Sequence, residues 1–345
     1  MREVRALFSS MASKKRTRAS AILLAASLLL AGCEGIQSSL WPQGPAAAEI
    51  ARISWIMFIG AALILMLVMV LALYALYRNP DKRIPVSANK MILMGGVAFP
   101  VVTLSALLIY GVISRGTLRG QPQPELEIDV VANQWWWEVH YQREDADQTF
   151  TTANEIRIPA GVQVRLRLHS DDVIHSFWVP NLAGKMDMMP GHVNTLLIQA
   201  DQPGVFRGQC AEFCGAQHAR MAFFVIAQPR EEFDAWAERQ RRPAAEPANE
   251  ISRRGLEVMR ANRCLDCHVV RGVGEEITYV RKGPDLTHLA SRSHVAAGTL
   301  DNNRENIKRI IADSQRIKPG NRMPSYANMN ADDLDALVTY LEGLR

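Results

Sequence analysis

Two charge-free apolar runs, residues 53–77 and 91–113, constrain this chain more than any other feature of it. At 1.5 Å rise per residue, each is long enough to cross a hydrocarbon core of about 30 Å. A buried helix of a soluble domain does not need so many consecutive apolar positions without a charge. Between the runs lies Arg78-Asn79-Pro80-Asp81-Lys82-Arg83, with Lys90 beside the second. Basic residues in short loops stay in the cytoplasm, so both ends of this hairpin face outward. Everything from about Gly120 onward is then expected on the periplasmic or outer face of a bacterial cytoplasmic membrane, in a multi-pass protein.

The N-terminus reads as an export signal. Lys14, Lys15, Arg16 and Arg18 precede an apolar stretch from Ala21 to Leu30 that is too short to span. Translation can begin at Met1 or at Met11. Leu30-Ala31-Gly32-Cys33 resembles a bacterial lipobox, which makes Cys33 the expected lipidation site and 1–33 the signal peptide. Residues 34–50 follow as a short periplasmic segment, then spans at 51–77 and 91–114 around a cytoplasmic loop at 78–90.

Beyond the hairpin the periodicity changes to alternation. In Val162-Gln163-Val164-Arg165-Leu166-Arg167-Leu168 the aliphatics share one face, as in a half-buried strand. Further strands are expected at 125–131, 134–141, 155–158, 195–199, 205–208 and 222–227, punctuated by Pro159-Ala160-Gly161 and Asp201-Gln202-Pro203-Gly204. Many short strands of this kind predict a Greek-key all-β domain over 121–229. A short helix at 231–241 and the linker Pro243-Ala244-Ala245-Glu246-Pro247-Ala248 occupy 230–250. Residues 251–345 read as all-α. A helix at 304–313 buries Ile307, Ile310 and Ile311, and a terminal helix capped by Asn330 carries the stripe Leu334, Leu337, Val338 and Leu341.

The five cysteines divide among three chemistries, with none left for a structural disulfide. In an exported chain Cys264-Leu265-Asp266-Cys267-His268 is the attachment pattern of c-type haem: two thiols form thioethers and the adjacent imidazole ligates the iron. A thioredoxin-like redox pair would need a surrounding α/β pattern and leaves His268 without a role. A soft thioether suits the sixth iron position. Met323, in Lys318-Pro319-Gly320-Asn321-Arg322-Met323-Pro324, is the candidate, while Met259 and Met329 are expected in the core or in loops and His288 and His294 in solvent.

The middle pair is Cys210-Ala211-Glu212-Phe213-Cys214-Gly215-Ala216-Gln217-His218, with Met221 three residues on. Two thiols, an imidazole and a thioether in one loop suit copper or a thiolate-bound zinc. His175, in Asp171-Asp172-Val173-Ile174-His175, would add a second imidazole. A single blue copper needs one cysteine; two cysteines allow both sulfurs to bridge two coppers.

In these motifs and their order the chain resembles subunit II of haem–copper cytochrome c oxidases with a fused C-terminal cytochrome c, as in caa3-type oxidases. The resemblance implies a transmembrane hairpin, a cupredoxin-like domain and a class I cytochrome c domain. It implies a dinuclear CuA centre on His175, Cys210, the Glu212 carbonyl, Cys214, His218 and Met221, with the Glu212 side chain also reaching a magnesium or manganese ion shared with the catalytic subunit. Gly283-Pro284-Asp285-Leu286 resembles the segment that packs near the proximal histidine. In Asn133-Gln134-Trp135-Trp136-Trp137, Trp135 matches the tryptophan through which electrons enter; Trp136 stands where tyrosine is commoner. The implied function is a respiratory electron relay through haem c and CuA to a catalytic subunit I that reduces oxygen to water and pumps protons, so no catalytic residue lies in this chain. Implied partners are subunit I, other oxidase subunits, a cytochrome c or other donor, and the membrane; nothing points to nucleic acid.

Rival classes fare worse. A quinol oxidase subunit II would lack the copper ligands, a nitrous oxide reductase needs a propeller that does not fit in 345 residues, a copper-delivery protein explains neither haem nor hairpin, and a Cys–His hydrolase needs one activated thiol. Charge adds one more expectation. Residues 121–235 hold 8 Arg/Lys against 16 Asp/Glu and residues 251–345 hold 15 against 12, so a basic haem domain is expected to dock on the acidic domain near Trp135.

Overall fold

The computed structural model describes residues 35–85, 87–119, 124–142, 149–273 and 283–345, with the side chains of 115–119 excluded. The signal segment and Cys33 lie outside the described residues. Helix α1 (Pro45–Tyr77) begins ahead of the expected start at 51, because Pro45 stands in its first turn, where a missing amide hydrogen costs nothing. A short helical turn at Ala88–Met91 and a π-helical stretch at Ile92–Ala98 lead into α2 (Phe99–Arg119). The widened turn precedes Pro100, whose ring cannot donate to the carbonyl four residues back. Apolar side chains along both helices are exposed to the surroundings, as lipid-facing residues must be.

Ten strands make up the central domain among the described residues: β1 (Leu126–Asn133), β2 (Trp136–Gln142), β3 (Phe150–Ala153), β4 (Glu155–Pro159), β5 (Val164–Ser170), β6 (His175–Trp178), β7 (Met186–Met188), β8 (Asn194–Ile198), β9 (Gly204–Cys210) and β10 (Ala222–Gln228). They form two five-stranded sheets, ordered β3-β2-β1-β5-β8 and β4-β10-β9-β6-β7. Alternating residues of β5, Val164, Leu166 and Leu168, point into the core between the sheets, where Trp137 meets Phe177 and Phe223 edge-on. Gly208 lets β9 pass beneath Phe223, since a Cβ there would sit 2.2 Å from its ring. Strands β3, β6 and β7 are not among the expected ones; with only three or four residues each, they carry too little alternation to be read from sequence.

The segment before α1 is stitched to this domain. Asn181, 1% exposed, donates from Nδ2 to the carbonyls of Gly35, Ser38 and Trp41, and Gln43 donates its amide to the Asn181 carbonyl. A buried side chain with three partners holds the arm as a cap on the sandwich.

Helix α3 (Arg230–Arg241) packs Phe233 and Trp236 against Tyr141. The C-terminal domain is built on α4 (Glu250–Ala261), α5 (Arg304–Ala312) and α6 (Ala331–Glu342). Asn330 caps α6 by accepting the Asp332 amide at 2.9 Å, and Leu334, Leu337, Val338 and Leu341 are buried as expected. Helices α4 and α6 cross in near-contact at Gly255, where a Cβ would lie 2.1 Å from the Ala336 carbonyl oxygen. Ile310 is half-buried rather than buried, because it faces the cavity between the helices.

The expectation that His288 and His294 lie in solvent is wrong. His288 is 3% exposed and donates to the Arg242 carbonyl at 3.0 Å, while His294 stacks on Phe224 with ring centroids 4.1 Å apart. Packing of the haem-side loop onto the β domain and the linker covers both. The two domains do meet near Trp135, but opposite charge is a minor part of the contact. Arg322 to Asp172, at 4.0 Å, is the one ion pair across this interface among the described residues. The rest are mostly bonds to or from main-chain groups, such as Glu155 accepting the amides of Ser293 and His294 and Gln217 donating to the Pro319 carbonyl at 2.7 Å.

Candidate metal centre and haem pocket

All six donors expected for the metal centre converge at one end of the sandwich. The start of β6 supplies His175, the end of β9 supplies Cys210, and the loop into β10 supplies Glu212, Cys214, His218 and Met221. The two sulfurs are 3.8 Å apart, and the Cys210 thiol donates to the Glu212 carbonyl at 3.1 Å. His175 Nδ1 lies 3.7 Å from Cys210 Sγ, and His218 Nδ1 lies 3.7 Å from Cys214 Sγ. Met221 Sδ is 3.8 Å from Cys214 Sγ. The donor atoms of His175, Cys210 and Cys214 lie within 4.8 Å of one another, whereas His218 reaches the Cys214 end. A cluster of thiols, imidazoles and a thioether fits a soft metal ion such as copper.

The surroundings orient these donors. Asp172 accepts from His175 Nε2 at 2.9 Å, which leaves Nδ1 toward the sulfurs. Burial pushes the His175 imidazole down, but the bonds to Asp172 and Cys210 outweigh it and leave its pKa raised. Asp172 responds oppositely: burial raises it, and its bonds to His175 and to the amides of Gln134 and Val173 hold it below the ordinary carboxylate value. The contact with Cys214 holds the Cys210 thiol far below the ordinary thiol value and pushes Cys214 up, as when two adjacent thiols share one proton. Neither Asp172 nor Gln134 was singled out from sequence. A carboxylate three residues before a ligand histidine was the available signal for Asp172; nothing local marks Gln134.

Trp135 bridges to the second site. Its indole Nε1 donates to the Cys214 carbonyl at 3.0 Å, as does Gln134 Nε2 at 2.8 Å, and the far edge of the ring packs on Gly320. The tryptophan is half-buried because the haem domain covers it. On the other side opens a largely apolar cavity of about 450 Å³, lined by Trp135 and Trp136 and by Cys264, Cys267, His268 and Met323. Within it His268 donates from Nδ1 to the Pro284 carbonyl at 2.8 Å, which leaves Nε2 as the free ligand nitrogen. Burial keeps this imidazole neutral, its pKa lowered. Gly283 lies flat against the ring, where a Cβ would come within 2.7 Å of Cε1. Met323 is held by its backbone: its amide donates to Asn321 Oδ1 at 2.8 Å, and its carbonyl accepts from Ser314 Oγ at 2.7 Å. Two thiols, a neutral imidazole and a thioether around an apolar cavity fit a covalently attached haem. Met259 is buried and Met329 half-buried in the helical core, as expected.

Comparison with known proteins agrees with this layout. Residues 142–228 match the cytochrome c oxidase subunit II periplasmic domain and residues 252–345 match the cytochrome c domain. Cytochrome c oxidase subunit 2 of Alkalihalophilus pseudofirmus is 37% identical over 332 residues, covering 92% of this chain and 94% of its own. The Bacillus subtilis protein of the same name is 28% identical over 359 residues, covering 96% and 98%. Quinol oxidase subunit 2 of Bacillus anthracis is 32% identical over 257 residues, covering 69% and 86%. A copper-type subunit II domain implies copper, a cytochrome c domain implies haem c, and an oxidase subunit implies association with the other oxidase subunits. Its two apolar helices and periplasmic domain make it a membrane protein with two passes, which narrows the multi-pass expectation. With two domain matches in the expected order and a relative similar over almost its full length, this chain belongs to the cytochrome c oxidase subunit 2 family, as a haem-bearing, electron-transferring component of an oxidoreductase.

Proposed function

We propose that this chain relays electrons from a cytochrome c or another donor to the catalytic subunit I of an oxygen-reducing, proton-pumping oxidase. Cys264 and Cys267 would attach haem c, His268 and Met323 would ligate its iron, and His175, Cys210, the Glu212 carbonyl, Cys214, His218 and Met221 would hold a dinuclear CuA centre. The observation that carries the dinuclear reading is that the two imidazoles approach different sulfurs, 3.7 Å each, with the sulfurs 3.8 Å apart. A single tetrahedral zinc would draw all four donors around one point.

Once bound, haem and copper supply reversible one-electron chemistry. The chain's own residues hold, orient and enclose them. Asp172 fixes His175, the Pro284 carbonyl fixes His268, and Trp135 joins the Cys214 carbonyl to the wall of the haem cavity. The Glu212 side chain is exposed beside Phe213, where it would be free to serve a magnesium or manganese ion shared with subunit I. In this reading Cys33 is lipidated, the loop at 78–90 is cytoplasmic, and the domains are divided as expected from sequence except that α1 begins at Pro45.

Cys210→Ser and Cys214→Ser each abolish a mixed-valence copper signal in EPR while leaving haem attachment intact. Met221→Leu shifts the copper potential more than it prevents binding. A native copper spectrum in Cys214→Ser would show that the sulfurs do not bridge.

A further inference from the structure

Lys318 is the only buried lysine among the described residues, and no carboxylate pairs with it. Its Nζ donates to the carbonyls of Trp135 at 2.7 Å, Arg220 at 3.0 Å and Ala296 at 3.3 Å, which uses all three ammonium hydrogens. Trp135 and Arg220 belong to the β domain, Ala296 to the haem domain, and Lys318 stands in the loop that carries Met323. Burial, helped by the Arg220 guanidinium, pushes the amine down to about 7. A side chain kept in so unfavourable a place is held by its hydrogen bonds.

The facing segment is strained in a matching way. Ala296 and Ala297 have φ of 54° and 55°, left-handed values that alanine rarely adopts. That turn aims the Ala296 carbonyl at Lys318 and the Ala297 carbonyl at the Ala222 amide across the interface, at 3.1 Å. The Thr299 hydroxyl, with its one hydrogen, donates to the Ala296 carbonyl at 2.7 Å and lies 3.4 Å from that of Arg220, so Ala296 keeps a donor without Lys318. The Trp135 carbonyl has no such substitute among the described residues. Trp135 is therefore pinned at both ends, its main chain by Lys318 and its indole by the Cys214 carbonyl.

We infer that Lys318 is a positioning residue for transfer between the haem pocket and the copper loop: its bonds lock the Met323 loop and the Trp135 backbone into one pose. The two sites then face each other at a set separation instead of through repeated encounters of tethered domains. This rests on the reading of Trp135 as the conducting residue, and the test separates the two ideas.

The test uses the full metal-loaded chain in its oxidase complex with Lys318→Met, which keeps the length of the side chain and removes its donors. Hydrogen–deuterium exchange over residues 220–228 and 291–298 reports the interface independently of turnover. The expected result is exchange there about tenfold faster, with the β1–β5 core unchanged, and flash-induced haem-to-copper transfer slower by about the same factor. Native exchange at both segments overturns the clamp. Faster exchange with a native transfer rate overturns the positioning role. Trp135→Phe, measured in parallel, reads the path itself: a native rate there defeats the conducting role of Trp135 and leaves the exchange result for Lys318 standing.

Discussion

Gly283→Ala probes how closely the haem pocket is built around His268. A methyl group at residue 283 would lie 2.7 Å from His268 Cε1, 3.0 Å from Nδ1 and 3.1 Å from Nε2. Carbon atoms rest at about 3.5–4.0 Å, so the ring must retreat by about 0.8 Å. It has little freedom to do so, because Nδ1 is bonded to the Pro284 carbonyl at 2.8 Å. Retreat either breaks that bond or drives Nε2 off the axis it must hold toward the iron. Overpacking of this kind costs about 1–3 kcal/mol, with about 1 kcal/mol more if the hydrogen bond is lost. The expected outcome is a haem domain destabilised by that amount in guanidinium titrations followed by haem absorbance, together with a mixed-spin component in its EPR spectrum. The copper signal should not change. Gly60→Ala is the control, since nothing lies within 4 Å of a Cβ there. A native midpoint and a fully low-spin spectrum in Gly283→Ala would refute the reasoning, by showing that the ring has room that the packing denies it.

Three further outcomes are expected. Gly255→Ala sets a Cβ 2.1 Å from the Ala336 carbonyl oxygen at the crossing of α4 and α6; backbone cannot step aside as a side chain can, so the haem domain should lose about 3 kcal/mol or more, read as a lower thermal midpoint of haem absorbance. A reporter fused after Arg345 should be active only if it is one that works in the periplasm; activity of a cytoplasmic reporter would reverse the topology. Burial lowers Lys318 to about 7 in the docked chain, with the Arg220 guanidinium adding to the effect and the Cys214 sulfur opposing it. The docked state thus binds fewer protons than an undocked one between about 7 and the ordinary lysine value, and docking tightens as pH rises through that window. Spin-label distances between the domains should narrow accordingly, and Lys318→Met should remove the dependence.

What sequence alone determined is local or periodic. The apolar runs announce helices because a bilayer has a thickness, and Cys264-Leu265-Asp266-Cys267-His268 announces a haem because the chemistry needs those groups within one turn. The copper loop was legible for the same reason, and even Asn330 was readable as a cap, since a cap acts on amides two or three residues away. The long alternating strands could be read from their own residues; β3, β6 and β7 could not, because a strand of three or four residues exists only by virtue of its neighbours in the sheet.

Tertiary structure decided whatever depends on two distant segments meeting. His288 and His294 sit in polar sequence and look solvated until the β domain and the linker cover them. Net charge pointed to the right pair of domains for an incomplete reason, because a sum of charges does not locate them: among the described residues one ion pair crosses the interface, and main-chain groups take part in most of its other bonds. Lys318 reads in sequence as an ordinary surface lysine. Only the fold, by closing Trp135, Arg220 and Ala296 around its amine, takes it out of water and gives it three carbonyls in exchange.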